Sequence, residues 1–130
     1  MKAKQVSVFL ENRPGRLMEM LKVFAENGID IRALSIADTT DFGIARMVLS
    51  DTNRALLALA ENGFTASTTD VLQVNVPDKP GGLLEAVAMP LAREGINVEY
   101  VYAFVESPQE AARVVLKVSD MNRAEEILGS

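Results

Sequence analysis

Two short stretches hold the residue types that could do chemistry: Asn12-Arg13-Pro14-Gly15 followed by Arg16-Leu17, and Asp78-Lys79-Pro80-Gly81 followed by Gly82-Leu83. The chemistry they suit is binding. A Pro-Gly turn that opens a helix leaves backbone N–H groups pointing outward with partial positive charge, a match for a carboxylate. Gly15 and Gly81 let a ligand approach the main chain closely. Asn12 and Asp78, at the mouth of each turn, can accept hydrogen bonds from an ammonium, and Asp30 and Asn97, each after a Gly-Ile pair, offer further acceptors. Fixed donors beside fixed acceptors are what a free amino acid requires. Gly82, standing where the first stretch has Arg16, is expected to open the second site further. The same residues also suit plainer roles: Asn12 and Asp78 as turn or helix-capping residues, Arg13 and Lys79 as solvated charges, Asp30 and Asn97 as strand starts.

What is missing narrows the chemistry. The 130 residues contain neither histidine nor cysteine, which removes the usual structural zinc site, a cysteine nucleophile and a Ser-His-Asp relay. No metal and no cofactor is expected, and no disulfide can form. Lys and Arg number 13 against 18 Asp and Glu, a formal charge of −5, which argues against a phosphate-tracking surface and so against nucleic acid as a partner. Residues Met1 to Lys4 lack a signal-peptide apolar core. The longest apolar run, Ala86 to Ala92, contains Pro90 and is far shorter than the roughly 20 residues that span a bilayer. A soluble, cytoplasmic protein without membrane contact is the expectation.

The two stretches belong to a duplication. Val6–Leu17 matches Leu72–Leu83 at a spacing of 66, Gly28-Ile29-Asp30-Ile31 matches Gly95-Ile96-Asn97-Val98 at 67, and Asp51–Ala55 matches Asp120–Ala124 at 69. Arg46–Leu49 is aligned with Arg113–Leu116 at 67. Ordered matches with growing offsets imply two fused domains, 1–69 and 70–130.

Periodicity supplies the elements that position the turns. Val6, Val8 and Leu10, and in the second half Leu72, Val74 and Val76, alternate as half-buried strands do. Leu17, Met20, Leu21 and Phe24 mark the core stripe of a helix stopped by Gly28. Ile29–Ala37 and Phe42–Leu49 form a hairpin about Asp38–Asp41, Asn53 opens a second helix closed by Gly63, and Phe64–Thr68 is a short last strand. The order is the split βαβ of ferredoxin-like folds. In the second half the extra residue must fall between Leu83 and Gly95, in a helix that also carries Pro90, so a kink or π-type bulge is predicted there. The sequence ends before a counterpart of the last strand, which leaves Val71–Val76 an edge that invites a partner.

A strand followed by Asn12-Arg13-Pro14-Gly15 and Leu17, then a helix ending in Gly28-Ile29-Asp30-Ile31, resembles the ACT domain, and Asp78-Lys79-Pro80-Gly81 with Gly95-Ile96-Asn97-Val98 resembles a second. The resemblance implies an α+β protein: two ferredoxin-like βαββαβ domains in tandem, antiparallel sheets with helices on one face, the second copy lacking its last strand. It also implies a regulatory role in amino-acid metabolism, a small amino acid bound at the interface between ACT domains, and no catalysis. Ser35-Ile36-Ala37 leading to Ala45-Arg46-Met47 is similar to the acetolactate synthase small subunit, the basis of an alternative in which the chain regulates a separate biosynthetic enzyme. An acylphosphatase-like enzyme of the same topology ranks below both, since no glycine-rich phosphate cradle precedes a helix. If sites form between domains as in ACT pairs, Asn12 faces Asn97 and Asp78 faces Asp30, and two carboxylates in one of them make the sites unequal. A homodimer is the expected assembly, with a metabolic enzyme as a further partner.

Overall fold

The computed structural model describes residues 2–38, 41–106 and 111–129. The chain divides into two compact units, Lys4–Thr69 and Asp70–Ser130 with Met1–Ala3.

In the first unit, strand β1 (Lys2–Glu11) leads through the Pro-Gly turn to helix α1 (Arg16–Glu26), then β2 (Ile31–Asp38), β3 (Phe42–Leu49) and α2 (Thr52–Glu61). β3 lies antiparallel between β1 and β2, with Val6 opposite Met47 and Leu34 opposite Met47 from the other side. Alternation works as the sequence requires: Val6, Val8 and Leu10 turn to one face and meet Met20, Phe24, Ala55 and Leu59 from the two helices. Each such buried side chain contributes about 1.5–3 kcal/mol. The α1 stripe is rotated from the expected one. Met20, Val23 and Phe24 are buried, Leu21 is partly so, and Leu17 remains 38% exposed. Leu17 lies in the first turn, beyond the cover of the sheet, while Val23, skipped by the sequence stripe, faces inward. Gly28, at φ +66°, follows the Asn27 cap and ends the helix. The α2 cap is Asp51, whose carboxylate accepts from the Arg54 amide at 3.1 Å, and Asn53 is already inside the helix. The turn expected at Asp38–Asp41 includes Thr39 and Thr40, outside the described residues.

The short strand expected at 64–68 and the one expected at 71–76 are a single strand, β4 (Ala66–Pro77), with the division between the units falling at Thr69/Asp70. In the second unit β4 leads to a π-helical segment at Leu84–Ala88 that runs into α3 (Met89–Arg93), then β5 (Val98–Ala103), β6 (Ala111–Val118) and α4 (Met121–Leu128). The predicted bulge is therefore present. One additional residue is absorbed by a wider turn just before Pro90, and Val87 and Leu91 still reach the core with Leu72, Leu116 and Ala124. β6 pairs antiparallel with β4 and β5. Lys2 and Ala3, the leading end of β1, belong to this unit and stand on the side of β4 away from β6, where the sequence left an edge without a partner. Lys2 Nζ donates to Asn122 Oδ1 at 2.9 Å and lies 3.9 Å from Glu125.

Strand register corrects one alignment. Phe9 is opposite Ile44, and Asn75, its counterpart, is opposite Arg113. The counterpart of Arg113 is thus Ile44, and that of Arg46, opposite Ser7, is Val115, opposite Gln73. The offset had already reached 69 before this strand, so the Arg46/Arg113 match is a coincidence of composition.

Candidate functional site

Both Pro-Gly turns fold alike, bond for bond. The Arg13 amide donates to the Glu11 carbonyl and the Lys79 amide to the Pro77 carbonyl; the Glu19 amide donates to the Gly15 carbonyl and the Glu85 amide to the Gly81 carbonyl, all at 2.9–3.0 Å. Gly15 and Gly81 take φ of +89° and +83°, which a side chain disfavours. Gly15 is the N-cap of α1, and no side chain caps it; in the second unit the helix starts at Gly82 and runs through Leu83 into the π segment. Asn12 and Asp78 are exposed and are not helix caps. By contrast the second helix of each unit is capped by its own aspartate, Asp51 or Asp120, through the amide three residues on.

Beyond the backbone the two turns differ. Arg16 is fastened: Nε lies 3.0 Å from one Glu11 oxygen, Nη1 2.7 Å from Glu19, and the guanidinium sits 4.0 Å above the Phe64 ring, leaving the side chain 14% exposed. The Glu11 carboxyl is held below its usual pKa, first by a backbone hydrogen bond and then by Arg16, while Arg16 is raised chiefly by Glu19. Arg13 lies 3.7 Å from Glu11 on the exposed side. At the corresponding point in the second turn, Gly82 does not open the site as the sequence suggested. It is buried, and a Cβ there would fall 2.0 Å from the Pro77 carbonyl oxygen, so the turn closes against its own strand. Lys79 is exposed, as are Gly81 and Leu83.

Asp30 and Asn97 lie at the far end of their own sheets. The Asp30 amide donates to Ser50 Oγ at 2.8 Å and the Asn97 amide to Ser119 Oγ at 3.0 Å, with the serine amides returning bonds at 2.9 Å. Asn12, whose amide donates to the Asp41 carbonyl, is at the opposite end of the eight-residue β3, roughly 25 Å away. Neither unit brings its own Asn12/Asp30 or Asp78/Asn97 pair together. Sequence reasoning missed Ser50 and Ser119, although their spacing of 69 was readable, and missed Glu19 and Phe64 as the partners of Arg16.

A cleft of about 340 Å³ adjoins the first turn, lined by Phe9, Glu11, Arg16, Phe42, Gly63 and Thr65. A shallower apolar depression of about 480 Å³ follows α1 along Leu17, Met18, Leu21, Lys22 and Ala25. Among the described residues, no group of three or more His, Cys, Asp or Glu could hold a metal ion, and no helix is long and apolar enough to cross a membrane.

Two ferredoxin-like α+β units with matching Pro-Gly turns define a protein built as a pair of like domains. The family model for the ACT domain pair matches residues 1–129, and the chain belongs to that family. Protein BT0572 from Bacteroides thetaiotaomicron is 41% identical, over 98% of this chain and 87% of that one, with a TM-score of 0.91. The ligand-free regulatory subunit of aspartate kinase from Thermus thermophilus is 18% identical (96% and 89% covered, TM-score 0.70), and that from Thermus flavus 20% identical (96% and 86%, TM-score 0.66). These two share the fold. No curated protein sequence matches the chain.

Proposed function

We propose that this protein is an amino-acid sensor that regulates a separate metabolic enzyme and carries no catalytic activity of its own. One observation carries the reading: the first unit caps its second helix with Asp51 yet leaves α1, the helix after Pro14-Gly15, without a side-chain cap. Free first-turn amides beside a glycine at positive φ are suited to an external carboxylate. In the first unit the Arg16 amide is taken by the Arg13 carbonyl, so the ligand carboxylate meets the amides of Leu17 and Met18, and Asn12 accepts from its ammonium; Asp78 plays that part at the second turn. The test is a thermal-shift panel of the twenty amino acids. A ligand at 100 times its Kd contributes about 2.7 kcal/mol, and a flat panel overturns the reading.

The alternative, a permanent regulatory subunit of an enzyme such as acetolactate synthase, differs in one observable: co-purification with a catalytic chain at fixed stoichiometry. A homodimer accompanies either reading. Exposed Leu17 and Met18 on α1, with their counterparts Leu83 and Leu84 also exposed, supply apolar surface for self-association. Light scattering at micromolar concentration should give twice the chain mass; a clean monomer counts against it.

A further inference from the structure

The cleft beside the first turn has walls that neither the turn geometry nor the core requires. Phe42 is directly opposite Glu11, and Phe9 is opposite Ile44, so the two rings are diagonal neighbours on one face of the sheet, about 7–8 Å apart at Cα. Both are large and apolar, Phe9 56% and Phe42 52% exposed, although Val8 and Leu10 on either side of Phe9 are buried in the core. Glu11 and Arg16 complete the wall as an ion pair of opposite charges 3.0 Å apart, and the bonds Arg16 makes use Nε and Nη1, leaving Nη2 as a further donor. The charged pair forms a polar rim next to the turn that takes the ligand's head group, and two aromatic faces match a flat apolar side chain. About 340 Å³ stands at the lower end of the roughly 300–1,000 Å³ of small-molecule sites, a volume for one small metabolite and not for a nucleotide cofactor.

The second unit shows that this set is no by-product of the fold. By register and spacing its counterparts of Phe9, Glu11, Arg16 and Phe42 are Asn75, Pro77, Gly82 and Ala111. The turn is retained and all four walls are gone. We infer that the Phe9/Phe42 cleft is the side-chain subsite of the first unit, with Phe9 and Phe42 as specificity-determining residues that select an amino acid bearing an aromatic ring. The inference rests on the amino-acid reading above.

Calorimetric titration with L-phenylalanine, L-threonine and L-lysine tests it, on the full chain and on the variants Phe9→Ser, Phe42→Ser and Phe42→Tyr. Phenylalanine should bind saturably. Each serine variant should weaken it about fivefold or more, the range of one aromatic contact, while Phe42→Tyr, which keeps the ring, restores it. Because both rings are half exposed, the serine variants should fold, which circular dichroism checks. Binding of threonine or lysine in preference, or phenylalanine binding unmoved by both serine variants, overturns the cleft and leaves the sensor reading intact. No response to these three, together with a flat thermal-shift panel of all twenty amino acids, removes both.

Discussion

Arg16 is the residue on which the first turn is built. It joins the end of β1 through Glu11, the first turn of α1 through Glu19, and the segment after α2 through Phe64. Ion pairs at this exposure are individually weak, and the stacked ring adds a comparable amount, so Arg16→Ala should lower stability by about 1 kcal/mol, read as a fall in the denaturation midpoint. The acid side gives a sharper signature. Glu11 is depressed below its ordinary value of 4.5, so its contribution is complete above that pH and is lost as pH falls through the folded value. Wild type and Glu11→Gln should therefore differ in melting temperature at pH 7 and converge as the pH is lowered well below 4.5; a constant gap would show that the carboxylate charge is not responsible. The pairing with Glu19 was legible, since three residues apart on a helix is one face. Phe64 was not, because nothing local brings it to α1.

At the scale of elements, the turns show how much a repeat discloses. The strand, the Pro-Gly turn and the helix stop at Gly28 follow from alternation and from glycine's tolerance of positive φ. The π segment also followed, because one extra residue and Pro90 had to fit in a helix of fixed end points. The offset in β6 did not, since its insertion lies between Ala103 and Ala111, in a stretch with no periodicity to anchor it. The role of Gly82 was misread for a related reason: what a missing side chain makes room for depends on the neighbour, here the Pro77 carbonyl. Gly15→Ala meets open space and incurs only the left-handed backbone penalty, about 1–2 kcal/mol. Gly82→Ala must move backbone against backbone and should cost more, about 3 kcal/mol or above. Equal denaturation midpoints for the two variants would contradict the close approach.

Over the whole molecule, chain order and structural membership part company. β1 serves both units, with Lys4 onward in the first and the residues before it in the second. The second unit therefore depends on a segment that sequence reading had assigned to the first, because alternation in β1 reports which face is buried and not which neighbour takes the strand edge. Lys2 reinforces the arrangement through Asn122 and Glu125 on α4. One hydrogen bond of this kind is worth about 0.5–1.5 kcal/mol, and loss of the strand end leaves backbone N–H and C=O groups of β4 without their strand partner. Removing residues 1–3 should accordingly loosen the second unit and spare the first. In native-state hydrogen exchange, amides around Leu72 and Leu116 should lose protection by about tenfold, the equivalent of about 1.4 kcal/mol, while those around Met47 and Leu59 keep theirs. Lys2→Ala should reproduce only the α4 part of that effect. Equal loss in both units would show that they unfold as one body, and no loss in either would show that the leading residues contribute nothing to the second unit.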